Sequence, residues 1–141
     1  MIDDIGGHMS IQPVMILISF WVGSIIFFSA IIAPTIFKSV DEKNAGYFLR
    51  AFFPKYYNFG LILGLSALII MMFAGLTGIF SFLSLIALIG MTVLTGVSKI
   101  LIPIINKAKD LGEEGKSMFK KMQWRSVLLN IFTLILGLGF L

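Results

Sequence analysis

Residues 56–98 read YYNFGLILGLSALIIMMFAGLTGIFSFLSLIALIGMTVLTGVS, 43 consecutive positions without Asp, Glu, Lys or Arg. A helix rises about 1.5 Å per residue, so roughly 20 residues cross a hydrocarbon core about 30 Å thick, and this run is long enough to cross twice. It is expected to fold as a helical hairpin, with spans near 57–75 and 80–103. The turn is expected at Gly75-Leu76-Thr77-Gly78, where paired glycines relax the backbone between two apolar runs.

The flanking sequence supplies two more crossings. Val14 to Ala33 carries no charge, and Pro34 and Lys38 are expected to end it. Ser126 to Leu141 is a charge-free run of 16 residues, with Trp124 and Arg125 as anchors at its polar end. The whole chain of 141 residues is 58% apolar and 13% charged, against roughly 25% charged in a soluble domain. This composition excludes an ordinary cytosolic enzyme and leaves room for one membrane domain, residues 10–141. Gly7-His8-Met9 has the look of an expression-tag remnant, so residues 1–9 are set apart.

Charge placement predicts the orientation. All 11 basic residues fall in two segments, Lys38 to Lys55 and Lys99 to Arg125. The positive-inside rule puts both in the cytoplasm and both termini outside it, as in a bacterial inner-membrane protein. The net charge of +4 is then a membrane anchor, and anionic headgroups rather than nucleic acid are its expected partners.

In the first basic segment Ala45, Phe48, Leu49, Phe52 and Phe53 recur at helical spacing between Asp41-Glu42 and Pro54. This predicts a short amphipathic helix on the cytoplasmic surface, whose apolar face meets either lipid or the ends of the spans. Pro54 is expected to end it and turn the chain into the bilayer, with Tyr56 and Tyr57 at headgroup level. In the second segment Gly112 and Gly115 interrupt the helices around Glu113-Glu114.

Candidate chemistry is sparse. No carboxylate lies inside a span, so a proton relay of Asp or Glu has nothing to run on. The chain has no cysteine and a single histidine, His8, which excludes zinc–thiolate sites, iron–sulfur clusters and bis-histidine haem. Met15, Met71, Met72 and Met91 are read as packing residues rather than copper ligands. No cofactor, metal site or catalytic residue is expected.

The remaining signal is polar. Lys99 and Asn106 stand seven apart around Pro103, and Gln123, Ser126 and Asn130 follow at i, i+3 and i+7. Polar side chains at this depth turn inward, so the two stripes either line a recess open to the cytoplasm or serve as hydrogen-bonding glue, with Lys99 snorkelling. Small residues add close packing: Gly60 and Gly64 form a G-x-x-x-G pair, and Ser19 and Gly23 its equivalent in the first span.

Trp21-x-Gly23, Pro34-x-x-Phe37, Ala45-Gly46, Phe53-Pro54-x-Tyr56-Tyr57, Lys99-x-x-x-Pro103-x-x-Asn106 and then Phe119, Ser126 and Asn130 occur in this order. In that order the chain resembles the small four-span membrane family that includes eukaryotic transmembrane protein 205 and many bacterial relatives. The resemblance implies a four-helix membrane fold with its weight of motifs at the cytoplasmic end, and it implies no activity. Relatives often carry histidine at the position of Gln123, so no metal or proton role is carried over to it.

The expectation is thus an all-α bundle of four transmembrane helices with one short cytoplasmic helix. Its expected role is non-enzymatic: binding or passage of a small solute or cation through the recess of Lys99, Asn106, Gln123, Ser126 and Asn130. The alternative is a structural or assembly partner that engages lipid, a second copy or another membrane protein.

Overall fold

Four helices long and apolar enough to cross a membrane follow one another, Ile11–Ser39, Glu42–Phe73, Phe82–Asp110 and Gly112–Phe140. The computed structural model describes the backbone of residues 2–73 and 79–141 and the side chains of residues 11–73 and 82–141. The expected Gly75–Gly78 turn lies outside the described residues. Helix α1 (Ile2–Phe27) passes through a π-turn (Phe28–Ile32) into α2 (Ala33–Ser39). Then come α3 (Glu42–Phe73), α4 (Ile79–Asp110), a 3₁₀ turn (Gly112–Gly115) and α5 (Lys116–Phe140).

Pro34 does not end the first span. The N–H of Ala33 donates to the carbonyl of Phe28, five residues back, so the helix widens by one residue just before the proline that has no N–H to give. The wide turn makes room for the pyrrolidine ring, and helix continues to Ser39. It stops at Val40, whose φ of −127° and ψ of 139° are extended.

Pro54 does not end a helix either, and no separate interfacial helix forms among the described residues. Asp41 caps α3, its carboxylate accepting from the backbone N–H of Asn44 at 3.2 Å, and one helix then runs from Glu42 to Phe73. The face read as amphipathic is the start of a single inward stripe that continues through Tyr57, Gly60, Gly64, Ala67 and Met71, all buried. Of its apolar residues Ala45 is buried, Leu49, Phe52 and Phe53 are half-buried, and Phe48 is exposed. Ring pairs at i and i+4 straddle the proline, Phe52 with Tyr56 at 5.5 Å and Phe53 with Tyr57 at 5.8 Å. They brace the turn from which the proline removes the bond to the Arg50 carbonyl.

The helices pack in a ring, α1 against α3 and α5, and α4 against α3 and α5. The backbones of the diagonal pair α3 and α5 do not meet. At the centre Ile18, Leu88 and Met91 are fully buried, while Phe20, Ile62, Met72, Phe82 and Ile100 point outward. An apolar perimeter around a packed interior suits a bilayer, where close fit rather than expulsion of water holds helices together.

That fit is tightest where α1 meets α3. Trp21, 3% exposed, lies in the notch of Gly60 and Gly64. A Cβ on Gly60 would stand 2.7 Å from the indole Nε1, and one on Gly64 would stand 2.9 Å from the ring and 2.6 Å from the Thr92 hydroxyl. The G-x-x-x-G pair is therefore used inside the bundle. Gly23 faces outward, with nothing within 4 Å of where its Cβ would be.

The α4–α5 hairpin is closed by its glycines. Gly112 has φ +65°, the left-handed region. Gly115 is buried against the backbone carbonyl of Ala108, so closely that a Cβ there would overlap it.

Candidate functional site

The charged ends of α3, α4 and α5 enclose a cavity of about 140 Å³. Helix α4 contributes Ile102, Ile105, Asn106 and Lys109, at the i, i+3, i+4, i+7 spacing that defines one helix face. Helix α5 contributes Phe119, Gln123, Ser126 and Val127, and α3 contributes Gly46, Leu49, Arg50, Phe53 and Tyr57. The walls are apolar and the charges few, as in most ligand pockets.

Arg50 and Lys109 are the charged residues of the lining, and no carboxylate is part of it. The Arg50 guanidinium is held from the side by Asp110, to which it gives both of its terminal nitrogens, and it also donates to the Asn106 carbonyl at 3.3 Å. This is the one ion pair among the described residues. Lys109 has no such partner. Its ammonium sits 5.8 Å from the centroid of the Phe119 ring and close against Gly46, where a Cβ would come within 2.8 Å of Nζ.

Two tyrosines cross the interior. Tyr56 donates its hydroxyl to the Asn130 side-chain oxygen at 3.3 Å, and the Tyr57 hydroxyl pairs with that of Ser126 at 3.2 Å. The α3 and α5 backbones do not meet, and these are the side-chain hydrogen bonds across that diagonal among the described residues. Tyr57 is 5% exposed, so its side chain belongs to the bundle interior.

The five sequence candidates separate. Asn106, Gln123 and Ser126 line the cavity. Asn130 sits one turn deeper, in an adjoining cleft. Lys99 is exposed and lines neither, because its neighbour Ser98 takes the inward position at 1% exposure. Of the structural candidates, Gly46, Tyr57 and Trp21 make the contacts described, while Gly23 and Pro103 face outward. Sequence reasoning passes over Arg50 and Lys109. Following the Asn106 stripe one turn further would have reached Lys109, whereas the approach of Arg50 to Asp110 is a product of tertiary packing.

The adjoining cleft has a volume of about 360 Å³ and shares Leu49, Phe53, Tyr57, Gln123, Ser126 and Val127 with the cavity. Its remaining wall comes from Phe28, Ser29, Ala33 and Phe37 on one side and Asn130 and Ile131 on the other. Phe28 opens the π-turn and stacks on Phe52 at 4.9 Å.

Residues 16–114 match a family described as "Domain of unknown function (DUF4149)". A protein of Aquifex aeolicus (strain VF5), named only "Uncharacterized protein", is 34% identical over 124 residues, covering 87% of each chain. The chain belongs to the DUF4149 family. The DUF4149 match takes in the α3 and α4 walls of the cavity and stops before α5. No solved structure matches the chain. It is a member of an uncharacterised family with four membrane-span-like helices.

Proposed function

We propose that this protein is a non-enzymatic membrane protein that binds a small anionic solute in the recess between α3, α4 and α5. The observation that carries the reading is the charge of the lining, Arg50 and Lys109 without a carboxylate. Such a lining disfavours a cation, so the sequence expectation narrows to phosphate- or carboxylate-bearing ligands. Asn106 and Gln123 supply neutral donors and acceptors for orientation, and Lys99 has no part in it. The basic ends of the helices support a cytoplasmic position for the recess and an outer position for the termini, in a bacterial inner membrane. The motif order supports extending the kinship to the family of transmembrane protein 205.

Titration calorimetry of the purified protein with inorganic phosphate tests the binding. Saturable heat that falls severalfold in Lys109→Gln is expected, and no heat with the wild type would remove the proposal. Labelling of Asp110→Cys only from the periplasmic side would invert the orientation.

A second reading, assembly with another membrane helix, is favoured by the outward small-residue face of Ser19 and Gly23. It lies in a shallow groove flanked by Met15, Phe20, Phe27 and Phe59. Crosslinking of Gly23→Cys in native membranes would give a discrete adduct if this face pairs, and none if it faces lipid.

A further inference from the structure

We propose that the recess takes its anion from the bilayer: the ligand is an anionic phospholipid that enters sideways between α2 and α5 and lodges its headgroup phosphate beside Lys109. The inference rests on the anion-binding reading above and names the class of ligand.

Three observations lead to it. First, the cavity and the cleft are continuous, with Leu49, Phe53, Tyr57, Gln123, Ser126 and Val127 as common wall. Second, their charge is divided along that axis. The cavity end holds Lys109 and Arg50, while the cleft end is uncharged, with Phe28, Ala33, Phe37 and Ile131 beside the neutral polar residues Ser29 and Asn130. A head that is negative and a tail that is apolar match this division, and a free anion would use only half of it. Third, the cleft has a lateral way in. The backbones of α2 and α5 do not meet, and the contact of α1 with α5 includes Val22 against Gly137, well away from Phe37. At the wall of the cleft the π-turn presents Ser29 and the start of α2 presents Ala33, both small, and Phe37 and Ile131 are exposed at its edge.

Energetics fix which end confers selectivity. An acyl chain moving from bilayer to cleft leaves one apolar medium for another, so it gains little. Selectivity must come from the head. A Lys or Arg close to an anionic headgroup favours it by roughly fivefold, and Arg50 is already shared with Asp110, so a preference of about tenfold over a zwitterionic lipid is expected.

The test is native mass spectrometry of the full chain in detergent, titrated with phosphatidylglycerol, with phosphatidylcholine and, by calorimetry, with inorganic phosphate. Lys109→Gln removes the cation at the head end, and Ile131→Trp, an exposed position, fills the cleft while leaving the cavity charges in place. Circular dichroism and gel filtration select folded samples, with Phe37→Trp as the substitute should Ile131→Trp not fold. The expected result is retained phosphatidylglycerol at about tenfold preference, reduced about fivefold by Lys109→Gln and also reduced by the cleft-filling variant. Phosphate binding that depends on Lys109, with no preference between the two lipids and no effect of filling the cleft, would overturn the lipid inference and leave the anion reading standing. Absence of both phosphate and lipid binding would overturn both.

Discussion

Arg50 on α3 holds both carboxylate oxygens of Asp110, the last residue of α4, and so ties together the charged ends of two helices at the rim of the cavity. The side chains are 36% and 63% exposed, and an ion pair in that setting contributes about 1 kcal/mol at most. Asp110→Asn is therefore expected to leave the melting temperature in detergent nearly unchanged. It frees the guanidinium for the cavity, and phosphate affinity should rise by about fivefold in calorimetry. Weaker affinity in that variant would show that Arg50 needs its partner to be in place.

Gly64 and Gly23 make a matched pair of positions. At Gly64 an added methyl meets Trp21 and Thr92, whereas at Gly23 it meets nothing. Gly64→Ala should destabilise by about 1–3 kcal/mol through overpacking, and Gly23→Ala should be neutral or slightly stabilising. Unfolding titrations in mixed micelles would separate them, and equal losses would mean that the Trp21 notch tolerates a shift.

The tyrosine bridges should show as coupling. A double-mutant cycle of Tyr56→Phe with Asn130→Ala is expected to give about 0.6 kcal/mol, within the range for hydrogen bonds between membrane helices. The Tyr57→Phe and Ser126→Ala cycle should give a similar value. Zero coupling in both would assign the α3–α5 spacing to the packing of other helices.

Pro54→Ala should leave folded yield unchanged or raise it. Alanine restores the hydrogen bond to the Arg50 carbonyl within a helix that already runs through this point. Helical content by circular dichroism should not increase by the several residues that a broken helix would regain. A marked loss of yield would mean that the proline sets the geometry of the aromatic cluster around Phe28.

The cap of α3 carries a pH dependence. Hydrogen bonds from Asn44 hold the Asp41 carboxyl below its ordinary value of 3.8, so the ionised form is favoured in the folded state. Its contribution is complete above that ordinary value and fades as pH falls through and below it. Asn44→Ala removes the side-chain bond and should bring Asp41 back up toward 3.8 in an NMR titration, and an unchanged midpoint would show that the backbone N–H of residue 44 alone holds it down.

The four helices long and apolar enough to cross a membrane were legible from the charge-free runs alone, because a bilayer dictates length and composition. The prolines were not. In water Pro34 and Pro54 read as stops, but inside a membrane a broken helix strands backbone groups without partners, and the chain instead widens at Phe28–Ile32 or continues past Pro54. The polar stripe on α5 was legible, since Gln123, Ser126 and Asn130 needed only helical spacing to share a face. Lys99 misled because it stands within about 20° of Asn106 on α4, yet at its own level Ser98 holds the buried position and Lys99 is exposed. Arg50 was illegible because its partner lies 60 residues away on another helix.

The π-turn holds one residue more than an α-helix of the same reach would use. In terms of sequence drift, the first span therefore carries a built-in insertion. Loss of any one residue from 28–32 would let the turn tighten into ordinary helix without breaking the rod. Everything after it would keep nearly the same facing, so Phe37 would stay at the edge of the cleft, while the wall at Phe28 and Ser29 would close up and bring Pro34 against a tight turn. Relatives that differ by a single-residue gap at this point should differ in the shape of the cleft while keeping the same four spans.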